Sequence, residues 1–191
     1  MPKALLAILA LIYPLLVYYG LLHFSVQWVG IALAVFLAAR VLVLRKKLGD
    51  EQLKQSLFPA LLLAILCALA SVFLNQAGAL KLIPTVINVA FLMGFATTLW
   101  KPPSMIERFA RLQEPQLSKP AIRYTRQVTL VWCVFFIING SIALYTALYS
   151  SMETWALYNG LIAYLLMGAL FAIEYLVRLR VKKYEQQNQS L

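Results

Sequence analysis

The stretch Val128–Leu148 reads VTLVWCVFFIINGSIALYTAL and holds no Lys, Arg, Asp, Glu or His. A helix needs about 20 mainly apolar residues to cross the ~30 Å hydrocarbon core of a bilayer. This run has that length, and lipid offers no water to an unpaired backbone amide, so it reads as a membrane-crossing helix. Working outward, five more stretches read the same way: Ala4–Leu22, Trp28–Leu44, Leu57–Leu74, Leu82–Trp100 and Trp155–Val177. The expected fold is therefore an all-α integral membrane protein, a bundle of six transmembrane helices forming one domain over residues 1–191.

Composition excludes the soluble alternative. Hydrophobic residues make up 62% of the chain, against about 45–50% in soluble domains. Charged residues make up 13%, roughly half the soluble norm. The first apolar run follows Lys3, as a secretory leader would. It is longer than a leader's apolar core, carries Pro14 and has no small-x-small cleavage pattern before His23, so it reads as a retained helix. Pro14 is expected to kink it.

Charge orients the bundle, because Lys and Arg concentrate in cytoplasmic connections. Lys3, the group Arg40 to Lys54, the connector Lys101–Gln127 and the tail from Arg178 together hold 16 of the 17 basic residues; Lys81 stands alone on the other side. Six of the seven acids share the basic side, which leaves it with the full +10 and the outer side neutral. Both termini are thus expected in the cytoplasm. The partner expected for this charge is the anionic inner leaflet, where each basic residue contributes about 1 kcal/mol, rather than nucleic acid. Arg40 is expected to snorkel to that surface.

Packing in lipid relies on small residues that let helix backbones approach. Gly30, Ala34 and Ala38 form such a stripe in the second span, Ala60, Ala64 and Ala68 in the third, Ala90, Gly94 and Thr98 in the fourth, and Gly168 and Ala172 in the sixth. Internal packing is the expected use, and a homo-oligomer face would use the same residues.

Asn88 and Asn139 are the deepest polar side chains, expected to hydrogen-bond across helices; a substrate contact is the functional alternative. Glu174 is the acid inside a span, and Arg178 follows at i+4, so an ion pair is expected there. Asn159 is placed at the outer interface. Cys67 and Cys133 lie within apolar runs and read as small hydrophobes. The lone histidine, His23, has no Cys, His or acid cluster around it to build a metal site. No catalytic, metal or cofactor site is expected.

The connector 101–127 is the largest segment outside the spans. Ser104-Met105-Ile106-Glu107 fits a capping box, and Met105, Ile106, Phe109 and Leu112 recur at helical spacing. A short amphipathic helix lying in the headgroup layer is expected, ended by Pro115 and Pro120. With Lys101, Arg108, Arg111, Lys119, Arg123 and Arg126, the connector reads either as ordinary positive-inside anchoring or as a docking platform for an acidic soluble partner or an anionic lipid headgroup.

Lys101-Pro102-Pro103 with Ile106 and Arg108, then Trp132-Cys133-Val134-Phe135-Phe136 with Gly140, resembles the septation protein A family of small bacterial inner-membrane proteins, over about Leu82–Ala172. Pro102 to Arg108 is more similar to a family of small membrane proteins encoded in bacterial aryl-polyene and fatty-acid-like biosynthetic clusters, and the length agrees. That resemblance implies an inner-membrane protein working beside acyl carrier proteins, acyltransferases and an exporter. It brings no catalytic residues. The label ketosynthase sometimes given to such proteins needs an active cysteine with basic partners, whereas Cys67 and Cys133 lie in spans and His23 on the opposite side. The expected role is a non-enzymatic accessory to acyl-carrier-dependent synthesis or envelope assembly. The alternatives are a small transporter or flippase for a lipid-like product, and a septation or envelope-integrity protein.

Overall fold

The structure, a computed structural model, describes residues 13–47, 51–112 and 114–189. Lys3, the Pro14 kink and the side chains of Arg40 and Ala60 lie outside what it describes, as does the start of the expected span Ala4–Leu22. The described regular elements are all helical: α1 (Tyr13–His23), α2 (Val26–Lys47), α3 (Glu51–Leu74), α4 (Gly78–Lys81), α5 (Ile83–Trp100), α6 (Met105–Arg111), α7 (Lys119–Tyr149), α8 (Met152–Leu157), a π-helical turn (Tyr158–Ile162) and α9 (Ala163–Gln189). Among the described residues, three stretches are long and apolar enough to cross a membrane, Gly78–Trp100, Lys119–Tyr149 and Met152–Val181. Two shorter apolar stretches, Val26–Ala39 and Leu61–Leu74, lie within α2 and α3.

Local chemistry explains the boundaries. Asn75 follows α3 with a φ of 50°, a left-handed conformation that Asn tolerates better than most residues. The Gln76 amide then donates to the Ser71 carbonyl at 3.2 Å, closing a Schellman end. Pro84 sits in the first turn of α5 and Pro120 in the first turn of α7, where no backbone donor is required. Ser118 caps α7 by accepting from the Ala121 amide at 3.2 Å. Ser151 caps α8 by accepting from the Thr154 amide at 3.3 Å.

These caps correct the expected role of Pro120. It opens α7 rather than closing the helix before it, so Lys119, Arg123 and Arg126 ride on a long helix that starts within the connector. α9 likewise runs on to Gln189 without a break at Val177. Part of the expected outer connector is the single turn α4.

α5 packs between α3 and α7, and α2 packs on the far side of α3. α1 touches α2, α8 and the π turn. The α2–α3 contact depends on Gly30: a Cβ there would lie 2.7 Å from Val72 Cγ2 and 3.0 Å from the Ala68 carbonyl oxygen. Ala34, Ala64, Ala68, Ala90 and Thr98 are also buried, as the stripes predict. Ala38, Gly168 and Ala172 are exposed instead. Nothing lies within 4 Å of a Cβ built at Gly168, because α9 turns that face away from the bundle. It leans on α7 through bulky side chains, Phe171 against Trp132 with ring centroids 4.5 Å apart.

Two apolar clusters stack along the bundle. One gathers Leu33, Ala68, Leu80, Ala147 and Trp155; the other gathers Phe95, Met105, Val128, Trp132 and Phe136. At the first end, Lys81 Nζ donates to the Ser150 carbonyl at 2.9 Å, and Trp155 Nε1 donates to the Lys81 carbonyl at 3.0 Å. This latch ties the turns 75–82 and 150–151 to one end of the bundle, and α6 lies at the other.

Candidate functional site

The basic end is built on two threonines. α5 ends at Trp100, and α6 turns back so that its first free amides meet hydroxyls of the flanking long helices. The Met105 amide donates to Thr98 Oγ1 at 2.9 Å, and the Ile106 amide donates to Thr129 Oγ1 at 3.2 Å. Helix starts leave amides unsatisfied, and here α5 and α7 supply the acceptors. Met105 is buried to 1% exposure. The short helix is therefore fastened to the bundle.

Glu107 completes the fastening. It is buried, and its Oε2 accepts from the Ser104 amide at 3.3 Å, the Glu half of the capping box. The Ser104 hydroxyl faces the Glu107 amide without closing a hydrogen bond. The other carboxylate oxygen, Oε1, accepts from Arg111 Nη2 at 2.7 Å and from Arg111 Nε at 2.9 Å. Arg111 Nη1 also donates to the Pro115 carbonyl at 3.1 Å, and Arg108 Nε to the Pro103 carbonyl at 3.0 Å.

Of the six basic residues expected to form a platform, Arg108 and Arg111 thus shape the connector itself. Lys101, Lys119, Arg123 and Arg126 are exposed. Three of these sit on the first turns of α7, which is braced from the side: Tyr124 hydroxyl donates to the Glu174 carbonyl at 3.2 Å and approaches Glu174 Oε1 at 3.4 Å. Glu174 is paired with Arg178, whose Nη2 and Nε donate to its two carboxylate oxygens at 2.6 and 3.0 Å. The i+4 spacing predicts that pair. Tyr124 as its third member is not foreshadowed, since the contact joins residues 50 positions apart.

A second polar group lies deep in the bundle. Asn139 Nδ2 donates to Asn88 Oδ1 at 3.0 Å, Tyr158 hydroxyl donates to Asn139 Oδ1 at 2.9 Å, and Asn88 Nδ2 donates to the Pro84 carbonyl at 2.9 Å. All three side chains are buried. The chain of bonds links α5, α7 and the π turn. Gly140 leaves room for it, since a Cβ there would lie 3.0 Å from Asn88 Cβ.

Asn159, expected at the outer interface, packs inward against α7. Only 4% exposed, it donates to Thr146 Oγ1 at 3.2 Å and to the Trp155 carbonyl at 2.9 Å. Successive residues of an α-helix point about 100° apart, yet Tyr158 and Asn159 both reach α7. They stand at the start of the π turn, whose wider i to i+5 winding locally re-aims side chains.

The arrangement can hold charge at one end and lock three helices together in the middle. Among the described residues no group of three His, Cys, Asp or Glu side chains stands close enough to hold a metal ion.

No family model matches the chain, and no curated protein or solved structure does.

Proposed function

We propose that the chain is a six-span bacterial inner-membrane protein with both termini in the cytoplasm, serving as a non-enzymatic accessory that brings an acidic acyl carrier protein to the membrane. The observation that carries this reading is the braced start of α7. Lys119, Arg123 and Arg126 are exposed on a helix held from two sides, by α6 through Thr129 and by α9 through Tyr124 and Glu174. A cationic surface attracts an acidic partner, and one held in a single geometry binds it more tightly than a loose tail, because less conformational freedom is lost on binding. The motif resemblance supplies the partner class, and the charge count supplies the side of the membrane.

The test is capture of purified acyl carrier protein by the full chain in nanodiscs of zwitterionic lipid. Capture should weaken as salt rises and be lost when Lys119, Arg123 and Arg126 are changed together to Glu. Capture that survives this triple change removes the reading. The transporter alternative draws on Asn88, Asn139 and Glu174, but the two amides are occupied with each other, Tyr158 and Pro84, and Glu174 is paired with Arg178. Their arrangement supports helix locking over a substrate path. Septation or envelope integrity remains the alternative setting for the same accessory role.

A further inference from the structure

α6 has an apolar face that begins inside the protein and ends outside it. Met105, Phe109 and Leu112 recur at i, i+4 and i+7, one side of a helix. Met105 is 1% exposed, Phe109 50% and Leu112 82%. A helix that lay wholly on the bundle would cover all three, and one standing free in water would not end in two bare hydrophobes.

Height relative to the bilayer decides what covers them. The first two amides of α6 are held by Thr98, two residues before the end of the membrane-length stretch Gly78–Trp100, and by Thr129, at the start of the charge-free run of α7. α6 therefore begins level with the ends of two spans. Trp100 marks the same level and is itself 79% exposed, in the position of an interfacial aromatic anchor. A soluble protein reaching Phe109 and Leu112 at this depth would have to displace headgroups.

The charges beside this face are mostly positive. Lys101 is exposed, Arg108 and Arg111 are part-exposed on the polar side of α6, and Glu107 is buried against Arg111; Glu114 is the exposed acid nearby. Long basic side chains can bury their stems beside apolar residues while their heads reach the lipid phosphates. Resting on the reading of the chain as a membrane protein, we propose that Phe109 and Leu112 seat α6 in the headgroup layer of the chain's own bilayer, and that Lys101 and Arg108 make anionic phospholipid the preferred headgroup. The amphipathic helix is then a lipid contact, and the soluble partner is left to α7.

An environment-sensitive fluorophore attached at Leu112→Cys in the full chain tests this, with the unsubstituted chain as the blank for Cys67 and Cys133 and Glu114→Cys as a water-facing reference. Discs of phosphatidylcholine and discs containing phosphatidylglycerol are compared. The expected result is blue-shifted, several-fold brighter emission at position 112 in the phosphatidylglycerol discs, reduced by Lys101→Glu, while position 114 stays water-like. Water-like emission at 112 in both lipids overturns the proposal and returns the face to a soluble partner. Equal emission in the two lipids overturns the anionic preference, and self-quenching that vanishes at one chain per disc assigns the face to a second copy. None of these outcomes depends on acyl-carrier capture, so the two readings fail separately.

Discussion

Glu107 shows how one residue fixes the shape of the basic end. Its carboxylate is buried and receives the Ser104 amide and two guanidinium nitrogens of Arg111. Arg111→Ala leaves that buried charge short of donors, a loss of about 1–3 kcal/mol. Adding Glu107→Gln removes the orphaned charge, so the double variant should cost less than the two single changes combined. Protease cleavage rates in the turn between α6 and α7, measured for the unsubstituted chain and the three variants in micelles, check both statements. At the polar layer, Tyr158→Phe removes one interhelical bond, worth about 0.6 kcal/mol on average in membranes. Asn139→Leu should cost more, because it strands both Asn88 Oδ1 and the Tyr158 hydroxyl. Denaturant unfolding of the two variants in the same micelle compares them. The sequence announces half of these contacts. Glu174 with Arg178, and Ser104 with Glu107, are local pairs whose spacing places them on one helix face or cap. Tyr124 to Glu174 and Tyr158 to Asn139 depend on how α7 meets the last helix and on a π turn, neither of which leaves a periodic trace.

At the scale of the element, small residues separate into those that hold helices together and those that do not. Gly30→Ala puts a methyl 3.0 Å from the Ala68 carbonyl oxygen and closer still to Val72 and Ser71. The backbone oxygen cannot move aside as a side chain can, so α2 must shift off α3. Gly168→Ala meets nothing within 4 Å and should leave stability unchanged or slightly raised, since Ala favours helix over Gly. Thermal unfolding in detergent should rank Gly30→Ala well below both the unsubstituted chain and Gly168→Ala. The spacing-of-four rule marks both glycines equally, because it reports that backbones can approach and not that a neighbour is present. Proline carries a similar ambiguity. Pro120 reads as a stop after α6 or as a first-turn residue of α7, and Ser118 before it settles the matter by capping Ala121.

At the scale of the whole molecule, topology follows from which turns share an end. The Lys81–Ser150 and Trp155–Lys81 bonds put the turns 75–82 and 150–151 together, while Thr98, Thr129, Tyr124 and Glu174 gather the connector and α9 at the opposite end. Among the described residues, the first end carries Lys81 as its only Lys or Arg, and the second carries Lys101, Arg108, Arg111, Lys119, Arg123 and Arg126. The proposed orientation, drawn from the positive-inside rule, has the Lys81 end facing outward. Gln76→Cys and Ser151→Cys should therefore react with a membrane-impermeant maleimide in intact cells. Gln116→Cys, in the turn after α6, should react only once the membrane is opened. His23→Cys extends the test to the first connection: α1 packs on α8, so position 23 should label from outside with Gln76 and Ser151. Labelling at 23, 76 and 151 from outside and at 116 from inside requires α5 and α7 each to carry the chain across, and leaves α2 and α3 an even number of crossings between them. Outside labelling at 116, or protection at 76, reverses the orientation and moves the basic end away from any cytoplasmic acyl carrier protein.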